Sequence, residues 1–265
     1  MGILKRESPW AKEYRAAWQQ EQKFLKKYGE KPAVSSLDRK LDEKIPPTLR
    51  ETLHKAFIKA FEVVFSKGDG AIRKVVRSEK RQQEYIIRQY NVDKKESRKN
   101  LRKFHKAADA AGRGSVVLSS AAGIGMGAFG VALPDIPLFT AMLLKCVYET
   151  ADSYGFAIES AGEKVLALRI IEASLSDGET LLRRNREIDA FFQDGFWLDD
   201  TTLDQQIQTT ARQLSEAMVY SKFLQNIPVA GVVGGAKDGI YLRRVQQYAA
   251  IKYRKRFLLQ RRAAK

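Results

Sequence analysis

Apolar residues recur along this chain at intervals of three and four, and a sustained alternating run is nowhere found, so the pattern predicts an all-α protein. Trp10, Tyr14, Trp18, Phe24 and Leu25 mark an amphipathic helix that opens at Pro9 and runs to about Tyr28. From Gly29 to Pro47 the pattern breaks at Pro32, Ser35, Ser36 and Pro46, which predicts a linker. The expected organisation is a helical extension and linker over residues 1–47 and a helical domain over 48–265. In that domain Leu49, Leu53, Phe57, Phe61 and Val64 form one helical face, ended at Lys67-Gly68. Helices are expected around 71–90, 93–111, 138–154, 162–175, 178–192, 201–224 and 239–262. The helix over 93–111 has only a thin apolar stripe, Leu101, Phe104 and Ala108, and its many Lys and Arg side chains predict a solvated face.

Two segments depart from this pattern. Gly114 to Pro134 carries no charged residue and is dominated by Gly and Ala, and Phe223 to Ala236 contains Pro228, Gly231, Gly234 and Gly235. Gly125-x-Gly127-x-x-Gly130 formally fits a dinucleotide fingerprint, but the strand that must precede it is missing from the pattern, and no Gly-Lys-Ser/Thr ending marks a phosphate loop. Close helix packing is the plainer account. Gly123 and Gly127, like Gly231 and Gly235, are four apart and share a face on which two backbones can approach. Membrane contact is a third: 21 residues span about 31 Å as a helix, near the hydrocarbon thickness. The flanks, Arg113 on one side and Pro134-Asp135-Ile136-Pro137 on the other, favour a re-entrant or interfacial hairpin over a clean span. Gly114 to Leu144 and Phe223 to Tyr241 are expected to pack against each other at the domain centre, with Gly127 and Gly231 near the contact. Asp135 and Asp238 each adjoin a glycine segment and are the candidate functional carboxylates, Asp135 read first as a helix cap.

Charge sharpens the picture by its distribution. The net charge is +16, and residues 1–113, 114–241 and 242–265 carry nets of +14, −7 and +9. The basic ends point to an anionic partner, either acidic lipid or nucleic acid. The residues expected at such a surface are Arg243, Arg244, Lys252, Arg254, Lys255, Arg256, Arg261 and Arg262, with Tyr241, Tyr248, Tyr253 and Phe257 seated at the interface or packed in the core. The single Cys146 stands in an apolar stretch and reads as a buried, inert thiol in a reducing compartment. The charged start of the chain predicts no secretory signal. His54 and His105, the only histidines, lack neighbouring cysteines or paired carboxylates, so no metal and no cofactor is expected. Neither a nucleophile elbow nor a carboxylate pair assigns catalysis.

The second half resembles the EcsC protein family. The likeness rests on Gly123 to Gly130, Leu133-Pro134-Asp135-Ile136-Pro137, Tyr154-Gly155-Phe156, Ile227-Pro228-Val229-Ala230-Gly231, Gly234-Gly235 and the closing helix with Ala249 to Arg256. It covers roughly residues 48–262. The resemblance implies a helical domain associated with membranes, in a family named for a protein encoded beside an ABC exporter. It carries over no catalytic residue. The expected function is therefore that of a non-enzymatic peripheral protein on the cytoplasmic face of a membrane, binding anionic lipid or a transporter-type membrane protein. A basic nucleic-acid-binding module is the alternative, and a hydrolase-like enzyme acting at the membrane the third reading.

Overall fold

Ser8 opens the first helix, α1 (Pro9–Gly29): its hydroxyl accepts the Ala11 N–H at 3.2 Å, and Pro9 stands where a missing N–H costs nothing. The computed structural model describes residues 7–30, 44–68, 70, 74, 76–118, 135–195, 201–225 and 234–263. The side chains of 67–68, 111–118, 135, 220–225, 234–238 and 262–263 fall outside that description. The remaining described helices are α2 (Pro47–Val63), extended by a π-helical turn over Val64–Gly68, α3 (Ser78–Lys94) and α4 (Arg98–Leu118). They are followed by α5 (Asp135–Ser153), α6 (Ala161–Leu175), α7 (Gly178–Asp194), α8 (Leu203–Gln225) and α9 (Gly234–Ala263). Among the described residues there is no strand, and the protein is an all-α multi-helix bundle.

The last helix holds the others together. α9 packs against α1, α4, α5, α6, α7 and α8, while α2 completes the bundle against α5 and α8, and α3 against α4 and α5. Leu242, Val245, Tyr248, Ala249, Ile251, Tyr253, Phe257 and Leu258 of α9 are buried on several sides of the helix. Phe257 is the hub of an aromatic cluster, stacked on Phe104 at 4.7 Å between centroids and flanked by Tyr154, His105, Tyr85 and Trp10 at 5.9–6.4 Å. The three tyrosines and Phe257 weighed for the interface thus resolve toward the core, with Tyr241 half-buried and donating from its hydroxyl to the Ala217 carbonyl at 2.6 Å. α6 is wholly enclosed from Val165 to Leu175.

The boundaries move in informative places. The break expected between the helices over 71–90 and 93–111 falls later: α3 runs on to Lys94, and α4 starts at Arg98, where the Ser97 hydroxyl accepts the Asn100 N–H at 3.2 Å. α4 then continues to Leu118, through the glycines at 112 and 114, and α9 begins five residues earlier than expected, at Gly234. α1, expected as an extension outside the main domain, packs against α9, α7 and α4. The proposed approach of Gly127 to Gly231, and Gly123 with them, lies outside the described residues.

Candidate functional site: a buried charge ring and an exposed basic face

Because α9 is central, its basic side chains have to meet acid partners inside the bundle, since a buried unpaired charge is far too costly. Lys252 is fully buried, its ammonium 2.5 Å from Glu21 Oε1, 2.8 Å from Asp189 Oδ1 and 3.4 Å from the Asn185 carbonyl. Lys255, one turn on, reaches the other oxygens of the same carboxylates, Glu21 Oε2 at 2.6 Å and Asp189 Oδ2 at 2.7 Å. Two ammoniums and two carboxylates alternate around a closed ring that joins α9, α1 and α7. Next to it the Tyr248 hydroxyl donates to Asn185 Oδ1 at 2.9 Å.

Four more of the cations expected at a surface are also engaged. Arg254 holds the buried Glu13 at 2.6 Å, and Glu13 is shared with Arg98 at 3.0 Å and Arg102 at 3.4 Å. Arg256 takes both oxygens of Glu163, at 2.8 and 2.5 Å, and lies 4.2 Å over the Phe156 ring. Arg244 donates to Asp177 at 2.9 Å and to the Ser176 carbonyl at 2.5 Å, above the Tyr28 ring. Arg261 meets Asp93 at 3.3 Å. Of the eight residues expected at an anionic surface, Arg243 is exposed and the Arg262 side chain falls outside the described part. The other six sit in ion pairs, and Lys252, Arg254 and Lys255 are buried. The physical reason is helix periodicity: a run rich in Lys and Arg projects charges all round, and here the acidic residues of the middle segment, of α1 and, for Arg261, Asp93 of α3 answer them.

A second enclosed network was not legible in the sequence. Arg169 Nε donates to Gln206 Oε1 at 3.0 Å, Gln206 Nε2 to Glu172 Oε2 at 2.7 Å, and Arg184 to Glu172 Oε1 and Glu187 Oε2 at 2.7 Å each. These residues are spread over α6, α7 and α8, and no spacing along the chain signals their meeting. Asp135 is the first residue of α5, Gly235 lies in the first turn of α9 and Asp238 in its second; the side chains of both aspartates fall outside the described set. Cys146 is buried, and burial, with Glu149 behind it, pushes the thiol up to about 12. His54 lies near the Gln208 carbonyl at the surface. Among the described residues no group of three His, Cys, Asp or Glu stands close enough to hold a metal ion.

His105 is different. It is 2% exposed within the Phe257 cluster, and neither ring nitrogen has a hydrogen-bond partner among the described residues. Burial, then the Arg254 charge, holds its pKa well below the ordinary 6.5. The folded protein therefore keeps the ring neutral where the unfolded chain protonates it, so the unfolded state binds more protons and stability falls as pH drops below about 6.5. Urea unfolding of wild type and His105→Phe at pH 7.5 and 5 should show wild type losing on the order of 1–2 kcal/mol more than the variant. Equal losses would refute this assignment.

Charge left for solvent concentrates elsewhere. Residues 94–106 hold seven Lys and Arg and a single carboxylate, Glu96. Lys94, Lys95, Arg98, Lys99, Arg102, Lys103 and Lys106 are all exposed. Arg98, Lys99, Arg102, Lys103 and Lys106 line one shallow groove along α4. Arg98 and Arg102 lean on Glu13, whereas Lys99, Lys103 and Lys106 have no carboxylate partner among the described residues. No described helix is long and apolar enough to cross a membrane.

The described residues form an all-α bundle closed around a charged central helix, with a run of exposed cations over residues 94–106. The model of the EcsC protein family matches residues 11–258, and the chain belongs to that family. The match starts inside α1, 37 residues before the boundary expected at 48, in keeping with α1 supplying Glu13 and Glu21 to the centre. Neither the curated proteins nor the solved structures contain a match to the chain.

Proposed function

We propose that this protein attaches peripherally to an anionic membrane surface, on the cytoplasmic face, through the basic side of α4. The observation that carries the reading is the run of seven exposed cations over residues 94–106, answered there by one carboxylate. Such a face gains on the order of 1 kcal/mol for each Lys or Arg brought against acidic headgroups, and loses it as salt screens the field. The reading moves the contact from α9, where six of the eight cations expected at a surface are ion-paired, to α4, whose Lys99, Lys103 and Lys106 have no carboxylate partner among the described residues.

Flotation with vesicles of phosphatidylcholine, with and without about one third phosphatidylglycerol, is the direct test. Binding is expected only to the anionic vesicles, at low salt, and Lys99→Glu/Lys103→Glu/Lys106→Glu should remove it while thermal melting stays unchanged. Wild-type protein that ignores anionic vesicles at low salt, or a triple variant that binds as well as wild type, would overturn the reading. Retardation of DNA without vesicle binding would assign the same face to nucleic acid.

A further inference from the structure

We infer that Ile86, Ile87 and Tyr90 of α3 form an apolar anchor that enters the lipid headgroup and acyl boundary when the basic face of α4 docks. The inference rests on the proposed membrane reading and adds where, and by what chemistry, the protein is held. Ile86, Ile87 and Tyr90 are 63%, 62% and 64% exposed. α3 is inverted relative to an ordinary surface helix, which turns its apolar stripe inward. Its inward positions are largely polar and are fixed by specific partners. Ser78 donates to Asp152 at 2.6 Å, Arg81 to Glu149 at 2.8 Å and Arg88 to the Ser153 carbonyl at 3.4 Å. Tyr85 packs edge-on against Phe104 and Phe257, and Val92 is buried. With that side tied down at five positions over four turns, the isoleucines cannot rotate into the core. Their exposure is a property of the fold.

The occupant follows from what adjoins the patch. Asn100 of α4 donates to the Lys95 carbonyl at 2.9 Å and to the Asn91 carbonyl at 3.5 Å, so α3 and α4 lie side by side at this end. Tyr90 is one turn from Lys94, and beyond it come Lys95, Lys99 and Lys103, all exposed. Aliphatic side chains, a tyrosine and a row of lysines on adjoining helices match the layers of an anionic bilayer surface: acyl boundary, interface and acidic headgroup. Nucleic-acid phosphates would satisfy the lysines but offer no seat to two isoleucines.

The experiment uses the full chain. Ile86→Ser/Ile87→Ser changes only exposed positions and should melt like wild type. Its affinity for phosphatidylglycerol-containing vesicles should fall about tenfold or more, and its remaining binding should vanish at high salt. Ile86→Leu/Ile87→Leu should restore wild-type binding. In parallel, Ile86→Cys carrying an environment-sensitive fluorophore should shift to the blue on anionic vesicles; the native Cys146, fully buried, leaves position 86 as the reactive thiol. If the serine variant binds like wild type, or the bound label stays in water, the anchor is wrong while the basic face stands. If wild type binds no anionic vesicle, the membrane reading and the anchor fall together.

Discussion

Lys252→Met will cost about 3–5 kcal/mol of folding stability, because it leaves Glu21 and Asp189 facing one ammonium where two stood. Lys252 is fully buried and Glu21 1% exposed, so water cannot replace the lost partner. A typical domain has about 5–15 kcal/mol in all, so the variant should sit near the edge of folding at 37 °C. Urea unfolding should show a lower midpoint at an unchanged slope. Glu21→Gln/Lys252→Met removes one charge of each sign and should recover at least half of the loss, since Lys255 and Asp189 still pair. Arg243→Met, on the exposed side of the same helix, should move stability by no more than about 0.5 kcal/mol. If Lys252→Met unfolds within about 1 kcal/mol of wild type, the ring is not what fixes α1 and α7 to α9.

The ring also explains the charge layout that the sequence displays without explaining. An acidic middle between two basic ends suggested basic faces beside an apolar core. In the fold, the middle supplies Glu163, Asp177 and Asp189, and these neutralise Arg256, Arg244, Lys252 and Lys255 of the closing helix. The basic terminal helix is therefore a core element, and the densest run of exposed cations lies instead at residues 94–106, at the end of α3 and the start of α4. Element type was legible because 3.6-residue periodicity is a local property, and the thin stripe Leu101, Phe104 and Ala108 of α4 is indeed its buried side. Which cations face inward was not. Lys252 and Glu21 are 231 residues apart, and only the packing of α1 onto α9 brings them together. The same limit applies to α1, which composition set apart behind a linker and which the bundle draws into its centre. The facing of α3 was not legible either: its helical pattern was visible, but its inward side is held by the polar partners of Ser78, Arg81 and Arg88.

Gly155→Ala should be the other strongly destabilising single substitution, at roughly 3 kcal/mol. The Tyr154-Gly155-Phe156 turn ends α5 in a Schellman motif. The Phe156 N–H bonds the Ala151 carbonyl at 2.9 Å and the Gly155 N–H that of Asp152 at 3.0 Å. This geometry puts Gly155 at φ +84°, where a side chain costs about 1–2 kcal/mol. Space adds a second term. A Cβ on Gly155 would stand 2.4 Å from Cζ of the Tyr85 ring, which is itself wedged against Phe104 and Phe257. Tyr85 cannot withdraw without opening the seam between α3 and the aromatic cluster. Gly195 gives the matching control, with φ +80° and nothing within 4 Å of its added Cβ. Gly195→Ala should pay only the backbone cost, about 1 kcal/mol, and the difference between the two variants measures the clash. At about 2–4 °C per kcal/mol for a chain of this size, thermal melts should separate them by several degrees. Gly155→Ala/Tyr85→Ala should cost less than the two single variants summed, because truncating the ring vacates the space the methyl needs. Equal melting of Gly155→Ala and Gly195→Ala would mean that the Tyr85 contact yields freely, and that α3 is held by its polar anchors alone.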